Sequence, residues 1–182
     1  MADQKISELT EKTTSVGNDL LVIVDSEAVP IQTKKIKRSN LLGFDKSCRV
    51  YNSAVQSCAN EAWTTLAFDS EAWDTDTIHD LVTNNSRLTC KTAGKYIITA
   101  FAAFAANATG QRFFTIKLNG TIYLTQACFQ AAAAQRTACT IATLYSLAVN
   151  DYVEFLIYQN SGGALNTDIV DGTTNFSMAR IA

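Results

Sequence analysis

The sequence predicts an all-β chain, an antiparallel sandwich preceded by a short N-terminal segment. Three observations carry this expectation. From Cys48 onward, apolar residues recur with period two or in short continuous runs bounded by Gly, Asn, Asp and Ser. Nine such runs follow one another without a sustained helical period, the pattern of a two-layer antiparallel fold. Asn119-Gly120, set between RFFTIKL and TIYLTQ, is a strong hairpin signal, because both central positions of a type I′ turn need φ > 0.

The boundary is expected near Gly43, giving residues 1–43 as an attachment segment and 44–182 as a head domain. Within the first part, SELTEKT can form a turn with Ser7 as its N-cap, and DLLVIVDS is a β-branched run suited to a strand. VPIQTKKIK contains the only proline, Pro30, and reads as extended and exposed; RSNLLG is a turn with Ser39 as its cap and Gly43 as its end. So small a piece with so little apolar surface does not fold stably alone.

In the second part, strands are expected at about 49–57, 63–68, 86–91, 95–105, 111–118, 121–130, 136–146, 151–159 and 173–181. Alanine favours helix, yet FAAFAANA (101–108) continues out of Tyr96, Ile97, Ile98 and Thr99 and reads as a strand with small side chains. AAAA (131–134) reads as a loop or strand edge, with helix as the alternative. In DYVEFLIYQN, Val153, Phe155 and Ile157 form one apolar face, while Tyr152, Leu156 and Tyr158 surround Glu154 on the other. A sandwich buries one face of each sheet, so the second apolar face is either a subunit contact or an unusually covered strand within a monomer.

Composition narrows the function. The 182 residues carry 15 basic and 17 acidic side chains, net −2, which leaves no electrostatic footprint for nucleic acid. The polar start MADQKISELTE does not resemble a signal peptide, and the apolar runs are shorter than the roughly 20 residues of a bilayer crossing. Synthesis in a cytoplasm is expected. Cys48, Cys58, Cys90, Cys128 and Cys139 lack zinc-ligand spacing and are odd in number, so free and mostly buried thiols are expected.

The densest polar stretch is FDSEAWDTDTIHD (68–80), with Asp69, Glu71, Asp74, Asp76, Asp80 and the lone His79. Clustered carboxylates suit calcium, but Ile78 stands where an EF-hand loop needs an oxygen ligand, and a solvated loop is the simpler reading. A Ser or Cys nucleophile would have only His79 to activate it, no G-x-S-x-G is present, and Gly162-Gly163 lacks the rest of a phosphate loop. KKIKR (34–38) offers four charges to an acidic partner, or is a solvated segment. No catalytic residue, cofactor or metal ligand is expected; the chain reads as a binding or structural protein.

Two family patterns bear on that reading. KISELTE, NDLLVIVDS and TKKIKRSNLL, in this order over residues 5–42, resemble the N-terminal segment of many bacteriophage tail-fibre and related virion proteins, with Val22 at a usual proline and Lys37 at a usual threonine. FDSEAWDTDTIHD, RLTCKTAGKYIITA, IKLNG, LAVNDYVEFLIYQN and NFSMARIA, spanning residues 48–182, resemble the trimeric jelly roll of complement globular heads and tumour-necrosis-factor-like proteins. The second resemblance implies a homotrimer, with Tyr152, Leu156 and Tyr158 facing the axis and Phe176 and Met178 as further interface candidates. The first implies that Leu20, Leu21, Ile23, Ile31, Ile36, Leu41 and Leu42 dock on a virion.

Together the resemblances imply a phage virion protein, assembled in the bacterial cytoplasm. Its partners would be its own copies, tail, baseplate or capsid proteins, and a host-surface glycan. The leading expectation is a trimeric fibre or appendage docked by its N-terminus for host adhesion. A head fibre or capsid decoration protein is the alternative, and a carbohydrate-binding lectin or carbohydrate-active enzyme a third.

Overall fold

The structure, a computed structural model, describes residues 20–25, 32–37, 46–132, 135–169 and 174–182. The chain divides into two compact units, Met1–Gly43 and Phe44–Ala182. In the first, β1 (Leu20–Asp25) pairs antiparallel with β2 (Gln32–Lys37), from Leu20 opposite Lys37 to Asp25 opposite Gln32. The β-branched residues of LLVIVD favour this extended conformation. Of the expected docking residues, Leu20, Leu21, Ile23 and Ile36 belong to this hairpin. Ile31, Leu41 and Leu42, and the turns expected at Ser7 and Ser39, lie outside the described residues.

The second unit runs, in chain order, through β3 (Ser47–Tyr51), β4 (Ser57–Cys58), β5 (Thr64–Thr65), β6 (Ser70–Asp74), β7 (Arg87–Thr89), β8 (Gly94–Phe104) and β9 (Gln111–Leu118). It continues with β10 (Ile122–Gln130), β11 (Thr137–Leu147), β12 (Tyr152–Gln159), β13 (Leu165–Asn166) and β14 (Asn175–Arg180). One sheet has the order β10-β9-β12-β5, with β7 also paired to β12; the other has the order β11-β8-β14-β3-β6. Strands β4 and β13 form a small sheet of their own. All ladders between named strands are antiparallel.

Strand alternation builds the core between the two sheets. Tyr96, Ile98, Ala100, Ala102 and Phe104 of β8 point inward, as do Phe114 and Ile116 of β9 and Val153, Phe155 and Ile157 of β12; all are buried. The rings of Phe155 and Phe176 meet across the layer at 6.1 Å, and those of Phe104 and Phe114 at 5.6 Å. The alanines of FAAFAANA are strand residues whose size makes room: Ala100 sits opposite Phe176 in the ladder, so a large ring has a small neighbour. At the β9–β10 turn, Asn119 (φ 50°) and Gly120 (φ 71°) both adopt the left-handed conformation that the type I′ turn requires.

The structure departs from the expected strands in three places. The 49–57 run breaks at Asn52, whose side chain turns away to donate to the Ala67 carbonyl (2.9 Å). The 63–68 run keeps only Thr64–Thr65 as strand. Within the acidic stretch, Ser70–Asp74 is an edge strand on β3; its exposed middle carries no apolar alternation that would mark it. Ala131 and Ala132 are coil, and Ala133 and Ala134 lie outside the described residues.

One placement corrects the sequence reading outright. Strand β14 does not neighbour β12; it lies in the opposite sheet, between β8 and β3. Its alternation turns Phe176 and Met178 into the core, where they are 0% and 1% exposed. Neither is therefore an interface residue. Phe176 also stacks on Phe68 at 5.8 Å, so Phe176→Ala would leave a cavity touching both sheets. The expected loss is about 3–5 kcal/mol, read by urea denaturation.

Candidate functional site

The outer faces of the two sheets differ in chemistry. On β11-β8-β14-β3-β6, Leu144 (63% exposed) lies opposite Ile97 (41% exposed), with Ala142 opposite Thr99 and Thr140 opposite Phe101. Ala179, Ser177 and Asn175 of β14 extend these rows, and Trp73 stands opposite Arg49 at the far edge. The Thr99 and Ser177 hydroxyls bond to each other (2.7 Å), and the Trp73 indole N–H donates to Ser47 Oγ (3.1 Å). The centre of this face carries no formal charge; Arg49 and Lys95 stand at its flanks.

The outer face of β10-β9-β12-β5 is charged and largely self-covered. Glu154 of β12 is buried, accepting from Arg87 Nε (3.1 Å) and from Ser86 Oγ (3.3 Å). The Arg87 guanidinium lies 4.0 Å over the Tyr152 ring. Farther along, Trp63 meets Tyr158 at 5.4 Å and Phe113 at 6.1 Å, and Lys117 sits 4.3 Å over Tyr123. Leu156 is only 7% exposed. Thus Tyr152, Leu156 and Tyr158 do share one outer face, as the sequence indicates, but Arg87 and Trp63 of the same chain cover much of it. Neither cover could be foreseen from the strand alone, because both arrive from other segments.

The carboxylates of 69–80 are each engaged locally. Asp69 accepts from the Ser53 amide (2.9 Å) and hydroxyl (2.6 Å). Asp74 accepts from the amides of Asp76 (3.0 Å) and His79 (2.8 Å), and Asp76 accepts from Thr92 (2.9 Å) and pairs with Lys46 (3.2 Å). Asp80 Oδ1 takes the amides of Val82 and Thr83, both at 2.9 Å. Among the described residues no three His, Cys, Asp or Glu groups converge to hold a metal. His79 is buried, with Nδ1 2.8 Å from Glu71 Oε1 and Nε2 3.1 Å from the Asn85 carbonyl. Both nitrogens are committed, so the ring is a fastener between the edge strand and the following loop rather than a base.

Beside this fastener opens a cleft of about 620 Å³, lined by the 77–84 loop, Arg87, Thr89, Lys91, Asn150 and Tyr152. Sequence inspection did not single it out, because its walls come from distant segments. The signals it left were Asn84 and Asn150, residues suited to left-handed turns. A second hollow of about 320 Å³ lies among Trp63, Gln111, Phe113 and Tyr158.

Cys48, Cys58 and Cys90 are free and buried, Cys139 is half-buried, and Cys128 is exposed. Burial raises the thiols of Cys48, Cys58, Cys90 and Cys139 above the usual cysteine range. Brief alkylation of the native protein followed by peptide mass spectrometry should therefore modify Cys128 first, with the three buried thiols reacting only on unfolding. The Ser53 hydrogen bonds hold the Asp69 carboxyl below its ordinary 3.8. Its contribution to stability is complete above that ordinary value and disappears as pH falls through the lower folded value. Asp69→Asn should accordingly flatten the acid side of a melting-temperature profile taken from about pH 5 to about pH 2.

No family model matches the chain, and no curated protein matches it. Solved structures do. The globular domain of zebrafish complement 1qA protein is 14% identical with a TM-score of 0.56, over 75% of this chain and 98% of that one. Murine APRIL at pH 8.0 is 12% identical with a TM-score of 0.58, over 74% and 98%. The Eiger TNF structure from S. frugiperda is 12% identical with a TM-score of 0.54, over 75% and 92%. At these identities the likeness is one of fold: the chain contains an antiparallel jelly roll of the complement-1q and tumour-necrosis-factor type.

Proposed function

We propose that this chain is a non-enzymatic phage virion protein, a homotrimeric appendage docked through residues 1–43 and projecting its jelly rolls toward a host surface. The observation that carries the assembly is the stretch of outer face from β11 to β14, between Lys95 and Arg49, where Ile97 and Leu144 are exposed side by side and Ala142, Thr99 and Ser177 carry no charge. Interface centres are depleted of charge, and this face answers to that description. The other sheet carries Arg87, Glu154 and Lys117, buries Leu156, and packs its own Trp63 on Tyr158. We therefore place the three-fold contact around Ile97, Ala142, Leu144 and Ala179 rather than at Tyr152, Leu156 and Tyr158.

The virion part rests on the likeness of residues 5–42 to fibre-protein N-termini. The β1–β2 hairpin supports it, since a lone hairpin is marginal in water and gains stability by packing on a partner. A capsid decoration role is the second reading. It is favoured by the contiguity of the two units in sequence, the first running to Gly43 and the second from Phe44.

Sedimentation equilibrium is the first test, with a trimer expected and a monomer at micromolar concentration counting against the assembly. Leu144→Asp should release monomers that keep the native circular dichroism spectrum, because the side chain points away from the core. Tyr158→Glu should leave the trimer intact; dissociation by that variant alone would move the contact to the other sheet. Gold-labelled antibody to residues 48–182 on intact particles should mark the tail if the protein is an adhesin and the capsid if it is decoration. Unlabelled particles would remove both virion roles.

A further inference from the structure

The cleft beside His79 has properties that the fold does not need. Among the described residues five non-glycines adopt positive φ, and three of them, Thr77 (52°), Asn84 (55°) and Asn150 (73°), line this one cleft. Asparagine accepts that conformation readily, but for β-branched Thr77 it is an outlier, and strain of this kind gathers where a chain must hold a binding geometry.

The walls are also fixed in advance. Asp80 holds the amides of Val82 and Thr83, and the Arg87 amide donates to the Asn84 carbonyl (2.9 Å). The Asn150 amide donates to the Cys90 carbonyl (2.9 Å), and the Asp151 carboxylate accepts from Asn119 (2.9 Å) and from the Ala148 amide (2.8 Å). A ligand entering this cleft would order little that is not already ordered.

The chemistry of the walls selects the ligand. The Arg87 guanidinium is held by Glu154 through Nε and by the Tyr152 ring beneath it, and among the described residues its two terminal nitrogens have no protein acceptor. Lys91 likewise has no ion-pair partner among the described residues. A guanidinium fixed in this way is suited to a planar carboxylate. Asp80, whose Oδ2 makes no bond within the described protein, is placed to accept from a hydroxyl. The side-chain amides of Asn84 and Asn150 both donate and accept, as vicinal hydroxyls demand. The volume of about 620 Å³ falls within the range of small-molecule sites, about 300–1,000 Å³.

We propose that this cleft binds an acidic sugar, a pyranose bearing a carboxylate, with Arg87 and Lys91 on the carboxylate and Asp80, Asn84 and Asn150 on the ring hydroxyls. The proposal deepens the reading of the jelly roll as a binding module, and it stands whether the particle carries the protein on its tail or its capsid.

Isothermal titration of the full chain tests it with a galacturonate trisaccharide and a sialyl trisaccharide, two sources of the same chemistry, against a neutral galactose trisaccharide and inorganic phosphate. At least one acidic sugar should bind, and the neutral sugar should bind about tenfold more weakly or not at all. Lys91→Gln, an exposed change, should weaken the acidic sugar by about tenfold. Asn84→Gly keeps the left-handed backbone and removes only the amide, so it should weaken binding without loss of folding. Equal affinity for acidic and neutral sugars, full affinity in both variants, or no binding at all would overturn the assignment. Phosphate bound as tightly as the sugars would reduce the cleft to an anion site and overturn it as well. Sedimentation on the same samples separates a failed cleft from a failed trimer.

Discussion

The apolar layer between two antiparallel sheets governs the rest of this molecule. Phe155 and Phe114 from one sheet meet Phe176 and Phe104, respectively, from the other, the second pair edge to face, with Phe68 stacked on Phe176. Because side chains alternate along a strand, filling that layer leaves each strand with an outer set whose chemistry is free to serve other ends. The large rings fit because β8 supplies Ala100 and Ala102 beside them. A run that reads as helix by propensity is thereby a strand chosen for its small volume.

The two outer faces put that freedom to different uses. On one, Ile97, Leu144, Ala142 and Ala179 surround paired hydroxyls, leaving a surface with little reason to stay in water. On the other, a buried carboxylate at Glu154 fixes Arg87, which in turn lies on Tyr152. A charge at that depth is tolerated because it is paired, and the pairing holds Arg87, one of the residues that line the cleft. The two sheets thus differ in the chemistry of their outer surfaces, apolar and hydroxyl-bearing on one, charged and aromatic on the other.

The acidic segment shows how polar residues can be dense without forming a metal site. Asp69, Asp74 and Asp80 each accept backbone N–H groups that the sandwich leaves unpaired near its edge, and Asp76 takes a hydroxyl and an ammonium. Carboxylates committed in this way do not converge. They hold the loop whose backbone forms one wall of the cleft, and His79 fastens the same loop to β6 through Glu71. Local turn chemistry therefore shapes the cleft wall, and of these carboxylates only Asp80 lines it.

The sequence by itself determined the β class, the Asn119-Gly120 hairpin, and the inward face of Val153, Phe155 and Ile157. Each of these is local: a period of two or a turn that needs positive φ is written in consecutive residues. Strand β6 escaped notice because an edge strand has no buried side to impose alternation on SEAWD. Phe176 and Met178 were misplaced because which sheet a strand joins depends on partners far away in the chain. The cleft stayed hidden for the same reason, since Thr77, Arg87 and Asn150 become neighbours only when β7 pairs with β12. Tertiary structure alone decided which apolar face was covered by Trp63 and which was left exposed, because covering is a property of what arrives from elsewhere.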